Sequence, residues 1–263
     1  MPTRPLSRTR STLRRLLVEL YSRRVERRLD RSRLPGHVAI VVDGNRRWAR
    51  AFGASSATGH RAGAEKVSEF LGWCEELGIE VVTIFLLSTD NLYRPAEELE
   101  ALMDIIGRLA RESADTQRWR IQGVGNRDVV PQEVADALAD AENRTRNVRG
   151  LHVNLAVGYG GRREIADAVR ALLDEHAKRG TPIEELAESV DAEHIAAHLY
   201  TKGQPDPDLV IRASGEQRLS DFLIWQSARS EFYFCEALWP DFRRVDFVRA
   251  LRVYTARERR FGR

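Results

Sequence analysis

Apolar runs rich in Val, Ile and Leu recur along this chain after Pro35 and alternate with stretches of helical periodicity. "HVAIVVD" (37–43), "IEVVTIFLLS" (79–88), "RWRIQGVG" (118–125), "LHVNLAVGYG" (151–160) and "PDLVIRASG" (207–215) read as strands, and "EFYFC" (231–235) as a sixth. Residues 60–77, 95–115, 131–147, 162–179 and 191–200 place apolar side chains three to four positions apart, the spacing of amphipathic helices. Strands joined through helices form right-handed crossovers and hence parallel pairs. The expectation is an α/β fold: a single domain over residues 35–263 with a central, mostly parallel six-stranded sheet flanked by helices. "RGTPIEELAESVDAEH" (179–194) reads as a surface connection between helices.

With 263 residues and 43% hydrophobic content the chain can bury one sizeable core. No apolar run approaches 18 residues, and the arginine-studded N-terminus lacks the apolar block of a secretory signal, so a cytoplasmic protein is expected. Cys74 and Cys235 stand far apart without a CxxC, which argues for reduced core thiols. "HIAAH" (194–198) lacks the internal Glu of a metalloprotease helix.

The net charge of +3 is unevenly spread: residues 1–33 carry +8 and the remainder −5. Within residues 1–34, Leu13, Leu16, Leu17, Leu20, Tyr21 and Val25 recur at helical spacing, giving a basic amphipathic helix. Two readings stand side by side: peripheral contact with anionic lipid at the inner face of the cell membrane, or packing of the apolar stripe on the protein body. No zinc-finger, RNP or helix-turn-helix pattern accompanies the charge, and nucleic acid is not an expected partner.

Parallel sheets bind ligands beyond the carboxyl ends of their strands. "VVDGNRRW" puts Asp43 there, followed by Gly44, where a backbone can approach a ligand closely, Asn45, and the paired cations Arg46 and Arg47. This resembles a phosphate cradle, yet it is neither GxGxxG nor GxxxxGK[ST]. A lone ion pair is the alternative for any one such cluster. "STDNLYRPAEE" (88–98), "VIRASGEQRLSDF" (210–222) and "SEFYF" (230–234) read as similar polar strand ends.

In order, "HVAIVVDGNRRWAR", "GHRAG" (59–63), "STDNLYRPAEE", "GYGGRREI" (158–165), "DLVIRASGEQRLSDFLIWQ" (208–226), "SEFYF", "LWPDF" (238–242) and "RERRFG" (257–262) resemble the motifs of the cis-prenyltransferases, the undecaprenyl diphosphate synthase or Z-isoprenyl diphosphate synthase family. The resemblance implies a homodimer with an apolar tunnel, and Mg2+-dependent condensation of isopentenyl diphosphate with an allylic diphosphate. By the same resemblance Asp43 is the essential carboxylate and a Mg2+ ligand. Gly44, Asn45, Arg47 and His60 form the allylic diphosphate cradle, with Arg46, at a position variable in the family, and Trp48 as further substrate-binding residues. Ser88, Asn91, Arg94 and Glu98 belong to a loop that closes on substrate, Asn91 in a catalytic role. Arg212, Arg218 and Ser220 form the second diphosphate site, with Glu231 the second Mg2+ contributor. Arg260 and Gly262 belong to a tail that reaches the partner's site.

Ser56, Leu92 and Gln217 depart from the family pattern, which often has Arg, Trp and His there. Leu86 stands where long-chain relatives carry a small residue, on a strand that lines the tunnel. A short product such as (2Z,6E)-farnesyl diphosphate, made from geranyl diphosphate, is the expectation. A long-chain polyprenyl diphosphate synthase and a non-catalytic partner subunit are the alternatives.

Overall fold

A computed structural model describes residues 29–256. The basic segment and the tail motif with Arg260 and Gly262 therefore lie almost wholly or entirely outside the described residues.

Six strands form one sheet: β1 (His37–Val41), β2 (Val81–Ser88), β3 (Arg120–Val124), β4 (His152–Tyr159), β5 (Leu209–Arg212) and β6 (Glu231–Phe234). Their order is β3-β4-β2-β1-β5-β6, and all five pairings are parallel. The sheet is thus wholly rather than mostly parallel. β1 and β5 are buried along their whole length, which is why their sequences are continuous apolar runs rather than alternating ones.

The helices are α1 (Asn45–Ala51), α2 (Ser56–Leu77), α3 (Ala96–Asp115), α4 (Gln132–Thr145), α5 (Gly161–Arg179), α6 (Ile183–Ser189), α7 (Ala192–Ala196) and α8 (Arg244–Ala256). Three of these, α1, α6 and α8, were not among the expected helices. Ser55 caps α2 by accepting from the Thr58 N–H at 3.3 Å. Gly78, at φ 75°, ends it. On one face of the sheet, Val38, Ile40, Val82 and Ile84 join Val67, Phe70 and Leu71 of α2, Leu102, Ile106 and Leu109 of α3, and Phe247 and Leu251 of α8. On the other, Ala39, Val41, Phe85, Ala156 and Val210 surround Phe222, whose ring stacks on Phe85 at 4.6 Å.

From β1 the chain crosses toward β2, and from β5 it crosses to β6 on the opposite side. The crevice between the carboxyl ends of β1 and β5 is therefore the topological switch point, where parallel sheets bind ligands.

Candidate active site

The residues that end β1 and β5 meet across this crevice, because Val41 is in register with Arg212. Two residues on, the Asp43 carboxylate accepts from Arg212 Nη2 at 2.9 Å, from Ser214 Oγ at 3.0 Å and from the Gly44 N–H at 2.6 Å. Burial by itself would raise the carboxyl's pKa; the hydrogen bonds from Arg212 and Ser214 and the Arg212 charge outweigh it and hold the group below the ordinary aspartate value. Asp43 is an anion at neutral pH.

Gly44 stands at φ 99°, and a Cβ there would lie 2.9 Å from Leu238 Cδ2. Both constraints exclude other residues. The following turn is gripped from behind: Trp239 N–H donates to Asp43 O at 2.9 Å and its indole N–H to Gly63 O at 2.8 Å. A Cβ on Gly63 would sit 2.4 Å from Asn45 Oδ1, so "GHRAG" lets α2 approach α1 closely. "LWPDF" and "GHRAG" thus shape the cradle from outside it.

A cavity of about 430 Å3 opens here. Asp43, Gly44, Asn45, Arg46, Arg47, His60, Ser88, Asp90, Asn91, Arg94, Arg212, Arg218 and Ser220 line its polar part; Val67, Leu86, Leu102, Ile105, Ile106 and Leu109 line its apolar depth. Leu86 reaches it by strand alternation, on the same face as Val82 and Ile84, and the register shift between Phe85 and Leu87 turns Leu87 to that α2–α3 side as well.

The cations around the mouth are paired with acids. Glu98 lies 3.3 Å from Arg94, 3.5 Å from His60 and 3.8 Å from Arg46. Burial, then the Arg94 charge, depresses the His60 pKa against the pull of Glu98. Arg47 contacts Glu216 at 3.6 Å and Asp43 at 3.8 Å, and Glu216 also pairs with Arg218. Arg212 donates to Ser220 Oγ at 2.7 Å. Among the described residues, the Nε–H groups of Arg94 and Arg212 are buried without an acceptor. Unmet guanidinium donors at a cavity are suited to an anion with several oxygens.

Two expected site residues are not brought to the cavity. Trp48 packs on Phe52, ring centroids 4.9 Å apart, and does not line it. Glu231 begins β6 in register with Leu209 and, through it, Val38, so it stands at the amino end of the sheet. Asp43 lies five residues beyond Val38, an offset of roughly 16 Å along the strands at the usual rise per residue. "SEFYF", expected as a polar strand end, starts a strand instead, so Glu231 cannot share a metal with Asp43 of the same chain. Conversely, Ser214 and Glu216 escaped the sequence reading although both lie in "RASGEQR"; the signal was a polar, glycine-containing turn directly after an apolar run. Ser214 adopts φ 87°.

Among the described residues no three His, Cys, Asp or Glu side chains cluster to hold a metal, and no helix is long and apolar enough to cross a membrane. A cation at Asp43 would depend on one protein carboxylate plus ligand oxygens, the manner in which Mg2+ is commonly held on phosphates.

Three comparisons bear on this site. The chain is 57% identical over 253 residues to isoprenyl transferase 1 of Streptomyces avermitilis, covering 96% of this chain and 98% of that protein. It is 59% identical over 251 residues to (2Z,6E)-farnesyl diphosphate synthase of Thermobifida fusca, covering 95% and 98%. Its fold superposes with a TM-score of 0.82 and 35% identity on the crystal structure of lavandulyl diphosphate synthase from Lavandula x intermedia in complex with dimethylallyl diphosphate, covering 88% of this chain and 100% of that one. Residues 41–262 match the family model described as "Putative undecaprenyl diphosphate synthase". These matches span nearly the whole chain, including the segments that meet at the switch-point crevice, and the chain belongs to the undecaprenyl diphosphate synthase family of cis-prenyltransferases.

Proposed function

We propose that the chain condenses isopentenyl diphosphate with an allylic diphosphate, geranyl diphosphate by preference, to give a short Z-prenyl diphosphate such as (2Z,6E)-farnesyl diphosphate. The observation that carries this reading is the division of one cavity into a mouth with unmet guanidinium donors and a depth of Val, Leu and Ile side chains. That is the shape and chemistry of a prenyl diphosphate. The name of the Thermobifida fusca relative supports the product length.

In this reading Gly44, Asn45, Arg46, Arg47 and His60 hold the allylic diphosphate, and Arg212, Arg218 and Ser220 hold that of isopentenyl diphosphate. Ser88 fixes the turn bearing Asn91, whose N–H it accepts at 3.2 Å. Asn91 and Arg94 orient the reacting ends. Ionisation of the allylic C–O bond leaves diphosphate as the departing anion, and preset cations lower the cost of that charge more than water does. Asp43 would hold Mg2+ on a diphosphate, where the ion supplies charge neutralisation of the leaving group. Each arginine is already matched to an acid, Arg212 to Asp43, Arg94 to Glu98 and Arg218 to Glu216, so diphosphate binds by exchanging counter-ions rather than by ordering free side chains.

Leu86 closes the depth of the cavity and limits growth. The homodimer completed by the tail at Arg260 and Gly262, and peripheral lipid contact by residues 1–34, belong to the same proposal. Co-sedimentation with anionic vesicles that is lost on deleting residues 1–33 checks the lipid contact. The whole reading is tested by assaying radiolabelled isopentenyl diphosphate incorporation with dimethylallyl, geranyl and E-farnesyl diphosphates, with Mg2+ and with chelator. Incorporation that needs Mg2+ and is fastest with geranyl diphosphate is expected; incorporation with no primer, or undiminished by chelator, would overturn it.

A further inference from the structure

The motif "GYGGRREI" lines no part of the mouth described above, yet it touches the segment that carries Arg218 and Ser220. That segment is strained: Ser220, Asp221 and Leu223 stand at φ 50°, 62° and 46°. Non-glycine residues rarely adopt such backbone unless their surroundings impose it. Two anchors impose it. From below, Phe222 is fully buried between Phe85, at 4.6 Å, and Tyr159, at 5.9 Å. From the side, the first turn of the 19-residue helix α5 clamps Asp221: Gly161 N–H donates to Asp221 O at 2.7 Å, and Arg162 N–H donates to Asp221 Oδ1 at 3.1 Å.

The glycines make the clamp sterically possible. A Cβ on Gly161 would lie 2.9 Å from Asp221 O and 2.7 Å from Ile224 Cγ1, and one on Gly160 would lie 2.9 Å from Asp221 Oδ2. The other end of the segment is tied to the same turn, since Gln226 Nε2 donates to both oxygens of the buried Glu164 at 3.0 Å. Two of the four N–H groups left without an intrahelical partner at the start of a helix are thereby used to hold a loop rather than a ligand.

We infer that Asp221 is a positioning residue for the isopentenyl diphosphate subsite: clamped on the start of α5, it fixes the turn that presents Ser220 and Arg218. This deepens the assignment of that subsite and rests on it. Displacing preset charged groups by an ångström can cost about 100-fold. The loss should fall on one substrate, because the allylic cradle hangs on β1, α1 and α2 instead.

Steady-state kinetics with each substrate varied in turn, on Asp221→Ala, Asp221→Asn, Gly161→Ala and Arg218→Ala, tests this. Asp221→Ala is expected to raise KM for isopentenyl diphosphate by about 10-fold or more while leaving the allylic KM within about twofold. Asp221→Asn, which keeps an acceptor for Arg162 N–H, should restore most of the loss. Gly161→Ala keeps the carboxylate but pushes the turn away, and should reproduce the selective effect even if Asp221→Ala fails to fold. Equal rises in both KM values, or an Asn variant as impaired as Ala, would overturn the inference. So would a raised KM in Arg218→Ala alone. No change in either Arg218→Ala or Asp221→Ala would overturn the subsite assignment first and the inference with it.

Discussion

Arg212, 4% exposed at the end of β5, donates at 2.9 Å to Asp43, two residues past the end of β1, and so ties together the two strands that flank the switch point. Against burial, the bond helps hold the Asp43 carboxyl below the ordinary aspartate range, and it sets the buried Arg212 beside a counter-charge. On the proposed function, catalysis and stability would therefore share a residue.

Asp43→Ala should lower the condensation rate by about 100- to 1000-fold, the usual worth of a group that stabilises developing charge. It should also destabilise the fold, by on the order of 1–3 kcal/mol, because Arg212 is left buried without its partner. That is below the full cost of a dry pair, since the Asp43 side chain is 35% exposed. Asp43→Asn retains the shape and should separate the two effects. Urea titrations beside initial rates check this, and near-normal turnover in either folded variant would contradict the assignment.

Leu86→Ala should extend the product beyond C15 without loss of the first condensation, since it opens the apolar depth of the cavity and leaves the charged mouth untouched. Chromatography of dephosphorylated products reads this directly. An unchanged product in the folded variant would put the stop elsewhere.

Acid sensitivity should begin at the amino end of the sheet. Neutral His37 donates through Nδ1–H to Pro205 O at 2.7 Å and accepts from Thr83 Oγ1 at 2.8 Å. Burial drives its pKa from 6.5 down to about 4, and His152 nearby is likewise pushed down to about 4. Between pH 4 and 6.5 the unfolded chain binds protons that the folded chain refuses, so stability is complete above about 6.5 and falls as pH drops through this window. His37 alone contributes about 3 kcal/mol of this dependence. Of this, about 2 kcal/mol should separate the unfolding free energies at pH 7 and pH 5, the rest being lost only as pH falls further toward 4, and His37→Gln should flatten the slope; a slope unaltered by that change would exclude His37 as its source.

Deleting residues 260–263 should raise KM for isopentenyl diphosphate well above any change for the allylic substrate. Equal effects on the two, or full activity from a monomer by light scattering, would exclude a tail that completes the partner's site.

The apolar runs of β1, β2 and β4 were legible because strands buried on both faces must be continuously apolar. The helix α1 was not: it is seven residues long, holds three arginines, and starts from Gly44 without a side-chain cap. For α6, Pro182 and the acids after it read as a turn, and only Leu186 is buried. The cradle around Asp43 was legible by its position after β1. The pairing of Glu216 with Arg47 and Arg218 was not, since it depends on a turn at Ser214 whose positive φ no local pattern announces. That Glu231 begins β6 rather than ending a strand was not legible, because so short a strand does not reveal which end faces the ligand. The face of Leu86 follows the alternation of Val82 and Ile84, whereas Leu87 joins that face only through a register shift that no local pattern announces.

On the proposed function this cavity performs a cis-condensation and then stops. The most direct measurement is the length and double-bond geometry of the alcohol recovered, by gas chromatography with mass spectrometry, after purified protein, Mg2+, isopentenyl diphosphate and geranyl diphosphate react and the product is dephosphorylated. (2Z,6E)-Farnesol is expected as the main product. All-E farnesol, a chain near C50, or no product from the folded protein would contradict it.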